Sequence, residues 1–332
     1  MTSPQEVWIT GCGAISPWGS AWQDLPTFGS KRDLLKPEAG KLLRMAEYDS
    51  KGILNRRGLR YCGSGTLALA CSSVLAVEDA DWQDQEGLAF FAGTGFGNVS
   101  PMFDFLYRVL NEGPAQVLPM ASFDAALNSQ ANYVSVFLAA RRLNRCFVGM
   151  TAGLEAVIDA IRWIRAGWAR GAVVGGVDTI NVDLESWLPF QPEESRNGVS
   201  EGAYSIFLES AESARQRGRT AIAEIRESGL GFHPPAGPPP DFSFWFSKFA
   251  SGEPSTYRWL YCGNDLNQDS EAQFLPLTRL YGNALGARGL AGVQVACLEA
   301  REGATPIQVF DSHRQGNYAA VTVTPPTPNS KS

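Results

Sequence analysis

Along the chain, short runs of uninterrupted apolar residues alternate with longer stretches in which apolar positions recur every three or four residues. Runs of the first kind occur at residues 7–16 (VWITGCGAIS), 88–93 (LAFFAG), 146–149 (CFVG) and 171–177 (GAVVGGV), all rich in glycine. With no polar alternation, such runs predict strands at the centre of a sheet covered on both faces. Stretches of the second kind predict helices over 63–80, 100–111, 128–142 and 151–170. Ser100 is the expected N-cap of the second of these, with Pro101 at its first helical position. In 151–170, Ala152, Leu154, Ala156, Val157, Ala160, Ile161 and Ile164 supply the apolar surface. Arg162, Arg165 and Arg170 gather toward its C-terminal end, where cations suit the helix dipole. Strand, helix and strand with short links over 146–177 read as a parallel crossover unit. A further strand is expected at 204–208.

From about residue 220 a second set of elements begins. It opens with a strand-like TAIAEIRESGLGF, followed by a proline-rich stretch after His233 that reads as a rigid surface loop. An element at 260–263, helices over 270–281 and 285–299, and a strand at 319–323 complete it. Residues 31–60 read as loops and short helices, and the tail TPPTPNSKS as disordered. The organisation is therefore mixed α/β in two halves, residues 1–219 and a much shorter 220–325, with 326–332 as the tail.

Composition narrows the classes of function. A chain of 332 residues can bury a large core. With 28 Lys+Arg against 34 Asp+Glu, the net charge of −6 weighs against broad nucleic-acid binding. No apolar run approaches the ~18 residues of a membrane-spanning helix, so no membrane association is expected. The opening MTSPQEVWITG lacks the basic-then-apolar pattern of a secretory signal. Six scattered cysteines then read as reduced thiols in a cytoplasmic protein. CxxC and HExxH are absent, which disfavours a metal site. GTGFGN lacks the last glycine of a dinucleotide fingerprint, and no cofactor is implied. The two histidines, His233 and His313, are all that paired-histidine chemistry has to draw on.

The most informative segment is CFVGMTAGLE at 146–155, where a strand runs into a tight turn that opens a long helix. The positive end of a helix dipole lowers the pKa of a thiol, and enzymes place nucleophilic cysteines there. Here the position holds Met150, which has no proton to lose. Met150 also reads simply as a core methionine filling a gap.

Several segments in order resemble the β-ketoacyl synthase family of the thiolase fold. VWITGCGAISPWG at 7–19 is similar to its opening strand and turn, and GTGFG at 93–97 to its glycine-rich turn. MTAGLEA at 150–156 resembles the nucleophile elbow, and 165–178 the segment that follows it. RNGVSEGA at 196–203 resembles the family's RDG…GEGA element. The resemblance implies a thiolase-like layered α-β-α-β-α fold of two pseudo-repeated halves, the second shortened. It also implies a catalytic cysteine and two histidines, or one histidine and an asparagine. Carried over, the cysteine position holds Met150. The first histidine position, in YCGN leading to Asp269 and Glu271, holds Cys262, and the second, in GNALGA, holds Asn283. One branch of the superfamily uses Asn there, but beside an intact Cys and His. The closing Gly-Phe-Gly-Gly loop has its counterpart at 312–317, with His313 and Arg314 near the expected pocket mouth. Asp265, Asp269 and Glu271 read as caps or partners of neighbouring elements, and Cys146 as a packed hydrophobe.

No catalytic position is intact, so the resemblance implies a non-catalytic subunit of chain-length-factor type. Such a subunit pairs with an active ketosynthase as a heterodimer and helps shape the tunnel for an acyl chain carried on the phosphopantetheine of an acyl carrier protein. In 100–111, Met102, Phe103, Leu106, Val109 and Leu110 form one apolar stripe with Phe105 at its edge. Plain core packing is one reading of that stripe; a tunnel wall, with Phe103 and Phe105 as its largest groups, is the other. Two different roles also stand open: acyl transfer or hydrolysis using Cys262 or His313, and a scaffold that holds carrier protein without shaping a tunnel.

Overall fold

A computed structural model describes residues 5–29, 38, 40–57, 59, 62–119, 121–187, 198–233, 256–263, 274–303 and 305–327. The uninterrupted apolar runs occupy the middle of its sheet. Strands β1 (Val7–Ile15), β3 (Leu88–Thr94), β5 (Gly171–Asp178) and β7 (Gly202–Ser210) are buried along their whole length. That is why they lack polar alternation. The other strands are β2 (Leu42–Leu43), β4 (Asn144–Val148), β6 (Val199–Ser200), β8 (Ala223–Phe232), β9 (Arg258–Tyr261), β10 (Leu275–Pro276), β11 (Ile307–Ser312) and β12 (Asn317–Thr324). The helices are α1 (Ser50–Leu54), α2 (Ser64–Asp79), α3 (Val99–Glu112), α4 (Ala121–Asp124), α5 (Ser129–Phe137), α6 (Ala152–Arg165), α7 (Val182–Trp187), α8 (Ala211–Gln216), α9 (Thr278–Tyr281) and α10 (Arg288–Glu302).

Among the described residues ten strands run in the order β10-β9-β11-β12-β8-β1-β7-β5-β3-β4, and β2 pairs with β6 apart from them. Read outward from the central β8–β1 pair, the two wings follow one plan. In the first wing β1 is antiparallel to β7 and β7 to β5, while β5, β3 and β4 are parallel. In the second, β8 is antiparallel to β12 and β12 to β11, while β11, β9 and β10 are parallel. The chain therefore repeats one five-strand topology. The repeat is cut down at its outer edge: β9 and β10 have four and two residues where β3 and β4 have seven and five.

Helices α6 and α10 lie between the wings. One core joins their buried faces to Phe91 and Val174 of the first wing and to Leu260, Val309 and Val321 of the second. Helices α2 and α5 cover the outer face of the first wing over Phe90, Val173 and Phe207. On the outer face of the second wing, Trp259, Tyr261, Phe274 and Phe310 form an aromatic cluster, with the Tyr261 and Phe310 rings stacked at 5.6 Å.

Several boundaries depart from the periodicity. Helix α3 begins at Val99, so Ser100 is helical and Asn98 holds the cap position. The Asn98 amide donates to Asp124 O (2.8 Å) and Ser129 Oγ (2.9 Å) instead of capping the helix. Pro101 is tolerated because the first-turn N–H groups have no partner within a helix. Helix α5 stops at Phe137, short of 142, and Ala139 adopts a left-handed φ of 53°. Helix α6 stops at Arg165, so Arg170 belongs to the approach to β5, where its N–H donates to Gly87 O (3.1 Å). The helix expected over 270–281 is replaced, in its described part, by β10 and the single turn α9. The helix expected from 285 starts as a 3-10 turn (Leu285–Ala287) before α10. Strand β11 was not anticipated, its IQVF run being only four residues long. The proline-rich stretch, residues 265–271 and the last five residues lie outside the described residues. Among the described residues no helix is long and apolar enough to cross a membrane, and the six cysteines are free thiols.

Candidate functional site

The site is assembled where α6 and α10 begin. Strand β4 ends at Val148, Gly149 takes a φ of 149°, and the chain turns through Met150 and Thr151 into α6. The Gly149 N–H donates to Thr94 O (2.8 Å), which ties this elbow to the end of β3. The two helices approach backbone to backbone. A Cβ on Gly153 would lie 2.8 Å from Gly286 O, and one on Gly289 would lie 2.7 Å from the Leu154 side chain. Glycine at these positions therefore brings residues 283–290 against the elbow.

Met150 is half-buried, and its side chain packs on a cluster of Ile180, Leu184, Val199 and Leu285. Asn283 is fully buried. Its Oδ1 accepts from Leu285 N (2.9 Å) and Arg288 Nη1 (3.4 Å). Its backbone bridges to the 198–200 segment, donating to Gly198 O (2.9 Å) and accepting from Ser200 N (3.1 Å). Val199 and Leu285 thus connect Met150 with Asn283, and two of the three positions singled out by the resemblance share one neighbourhood.

Cys262 follows β9 and is fully buried. It packs at the foot of α10, where a Cβ on Gly292 would lie 2.5 Å from its Sγ. Burial first, and then the nearby Asp311 charge, push its thiol well above the ordinary range. Cys146 is half-buried, and burial raises its thiol to about 11. Both cysteines are held protonated, the reverse of what nucleophilic activation requires. That weighs against Cys262 as a replacement nucleophile.

Two features of the site went unread in the sequence. The first is the ion pair between Arg288, at the start of α10, and Asp311, near the end of β11. Arg288 is 1% exposed and Asp311 0%. Arg288 Nε donates to Asp311 Oδ1 (3.0 Å) and Nη2 to Ser312 O (2.9 Å), while Nη1 reaches Asn283. A charged residue inside the apolar run LGARGLAGVQVACLEA was the available signal. The second is Asp178, which ends β5 and is 3% exposed. Its carboxylate accepts from Thr94 Oγ1 (3.0 Å), Gly95 N (2.8 Å), Phe96 N (3.3 Å) and Ala287 N (3.2 Å). It holds the glycine-rich turn after β3 and the start of α10 together.

Glu201, in the segment similar to GEGA, accepts from Arg44 Nη1 (2.9 Å), Ile180 N (2.9 Å) and Met45 N (3.2 Å), and so has a structural place beside the site. His313 and Arg314 occupy the turn between β11 and β12, His313 half-buried and Arg314 exposed. The His313 N–H donates to Asn317 O (3.0 Å). His233 comes to the same turn, donating its N–H to Gly316 O (2.8 Å), so the two histidines meet at one hairpin apart from residues 150, 262 and 283. Met102 and Phe105 are half-buried on α3 and Phe103 is exposed. No residue of α3 is buried, which overturns the plain core reading of its stripe. A cavity of about 410 Å³ lies elsewhere, lined by Ala221, Ile222, Arg301, Pro325 and their neighbours. Among the described residues no group of three or more His, Cys, Asp or Glu is placed to hold a metal.

No family model matches the chain. It is 24% identical over 255 residues to 3-oxoacyl-[acyl-carrier-protein] synthase 2 of Synechocystis, which covers 67% of this chain and 61% of the relative. The corresponding proteins of Rhizobium meliloti and Staphylococcus aureus are 26% identical over 182 residues and 25% over 260, the matches spanning 43% and 62% of their lengths. The matched part is thus less than two thirds of these curated relatives. Among solved structures, a chain of the AntDE:AntF complex, a type II PKS acyl-carrier protein with its ketosynthase, superposes with a TM-score of 0.78 at 16% identity, over 97% of this chain and 99% of that one. The ishigamide ketosynthase/chain length factor gives 0.77 at 17%, over 96% and 99%. A β-ketoacyl synthase from Burkholderia phymatum gives 0.76 at 16%, over 97% and 99%. Fold and sequence together make the chain a homologue of the β-ketoacyl synthases, built on the thiolase-like fold.

Proposed function

We propose that the chain is a non-catalytic ketosynthase-like subunit of chain-length-factor type, which pairs with an active β-ketoacyl synthase and walls part of its acyl-chain tunnel. The observation that carries this reading is the surface beside β4. Strand β4 is the outermost strand of the first wing. Helices α5, α4 and α3 continue from it in contact with one another. Along this path Leu110 is 82% exposed, Leu118 70%, Val136 69%, Tyr107 67%, Phe123 63% and Phe103 48%. So many large apolar side chains on one flank mark a protein interface, and a strand edge unpaired among the described residues needs a partner or a cover. The elbow supports the non-catalytic half of the reading: the Met150 thioether offers no thiolate for an acyl chain. The acyl group would then sit on the partner's cysteine, delivered on the phosphopantetheine of an acyl carrier protein. Met102, Phe103 and Phe105 would face its path, with His313 and Arg314 on the mouth side.

Co-expression with a neighbouring ketosynthase tests the proposal. The two chains are expected to co-purify as a heterodimer, and the chain alone is expected to aggregate as it is concentrated, staying folded only when dilute. Leu110→Glu with Phe123→Glu should abolish co-purification at an unchanged thermal midpoint, because both positions are exposed in the free chain. In the assembled pair, Phe103→Ala should shift the product distribution to longer chains. A well-behaved monomer that ignores the ketosynthase, or one that captures carrier protein without it, would overturn the proposal.

A further inference from the structure

We propose that the Arg288–Asp311 pair is an internal plug, which fills the space between the altered positions 262 and 283 and leaves this chain without a cavity for the thioester end of a carrier-bound substrate. The inference rests on the assignment of these positions to the catalytic ones of the ketosynthases. It goes further than the loss of a nucleophile, because it says that the site itself is closed.

Three observations place the pair there. First, it touches both positions. Arg288 Nη1 reaches Asn283 Oδ1 (3.4 Å). On the other side, Tyr261 and Phe310 are register partners in the parallel β9–β11 pair. Cys262 and Asp311 each follow one of them, so they lie side by side, and Cys262 N donates to Phe310 O (2.9 Å). Second, the helix presents both contacts from one face. Arg288 and Gly292 are one turn apart on α10; Cys262 packs at Gly292, and Arg288 covers the next step toward Asn283. Third, the pair is closed off from solvent, at 1% and 0% exposure, and the third donor of the guanidinium is taken by Ser312 O at the base of the β11–β12 turn.

The chemistry is unfavourable for mere core filling. Apolar residues of equal volume generally serve a core as well as or better than a buried ion pair. A pantetheine thioester, by contrast, needs an open channel past a histidine-like position to reach the elbow. In this chain a guanidinium occupies that approach, with fixed partners on three sides.

The test reads access to Cys262 directly, with Cys12 and Cys297 as controls within the same molecule, since all three thiols are buried. Folded wild-type protein and variants are treated with methyl methanethiosulfonate, and labelling of each cysteine is followed by mass spectrometry. Asp311 raises the Cys262 thiol and Arg288 lowers it, so removing both sets the two influences against each other and a large change in rate reports access. In Arg288→Ala/Asp311→Ala, Cys262 is expected to label at least ~10-fold faster than in wild type, with Cys12 and Cys297 still protected. In Arg288→Met/Asp311→Leu, which refills the volume without charge, all three should stay protected. If the first variant labels all three thiols through unfolding, Arg288→Ser/Asp311→Asn supplies the same contrast with hydrogen-bonding groups retained. Cys262 protected at the wild-type rate in a folded, opened variant would overturn the plug. The measurement needs no partner chain, so its failure leaves the pairing with a ketosynthase untouched, and failed pairing leaves the plug untouched.

Discussion

Arg288→Ala, made alone, is expected to cost about 3–5 kcal/mol of folding stability. The substitution takes the Arg288 guanidinium away from the Asp311 carboxylate, which is 0% exposed, and so removes a charge partner from a buried acid. It also takes a donor from Ser312 O and from Asn283 Oδ1. Domains are stable by only about 5–15 kcal/mol, so the single variant should populate unfolded chain under mild conditions. The paired Arg288→Met/Asp311→Leu replacement should recover most of the loss, because it removes both desolvated charges and keeps the volume. Urea unfolding followed by circular dichroism checks both results. A single-variant loss under about 1 kcal/mol would be the behaviour of an exposed ion pair, and would contradict the burial seen here.

Asp178→Ala should be nearly as damaging, through the backbone. The variant leaves the N–H groups of Gly95, Phe96 and Ala287 without their acceptor. Each buried group so abandoned costs about 1–3 kcal/mol, so a loss of roughly 3 kcal/mol or more is expected. The same residue makes stability depend on pH. Burial is the larger influence and pushes the Asp178 carboxyl up to about 6, against hydrogen bonds from Gly95, Thr94, Phe96 and Gly286 that favour its ionised form. In the unfolded chain an aspartate titrates near 3.9. Between about 4 and 6 the folded chain therefore holds a proton that the unfolded chain has released. Stability contributed by this group falls as pH rises through that window, by up to roughly 1.4 kcal/mol per pH unit, and is flat on either side. Asp178→Asn should remove the slope. Urea midpoints from pH 4 to 8 in both proteins test it, and an unchanged slope in the variant would assign the titration to another group.

The parts of the fold that could be read in advance were those whose burial is complete and local. Strands β1, β3 and β5 are buried on both faces, so their apolar runs have no competing interpretation, and α2 and α6 carry the same kind of signal at helical spacing. The turns at 150 and 283 stood out by their glycine-rich flanks, and Gly153, Gly286 and Gly289 in those flanks serve the close approach of α6 and α10. Other elements were hidden for physical reasons. Strand β10 is two residues long and held by pairing to β9, a non-local contact that no periodicity encodes. The Arg288–Asp311 pair joins residues 23 apart, and a charged residue inside an apolar helix does not announce its counter-ion. The stripe on α3 was visible as a stripe, but spacing describes a face and says nothing about what covers it.

The antiparallel embrace of β1 by β7 and β8 sets a schedule for synthesis. Val7 pairs with Ser210 on one side and with Ile225 on the other. Once made, β1 therefore waits for roughly 200 further residues before either edge is satisfied, about 10–40 s at ordinary elongation rates. During that interval a strand made to be buried is available to any other nascent chain, which makes holding chaperones and brisk elongation natural allies of this fold.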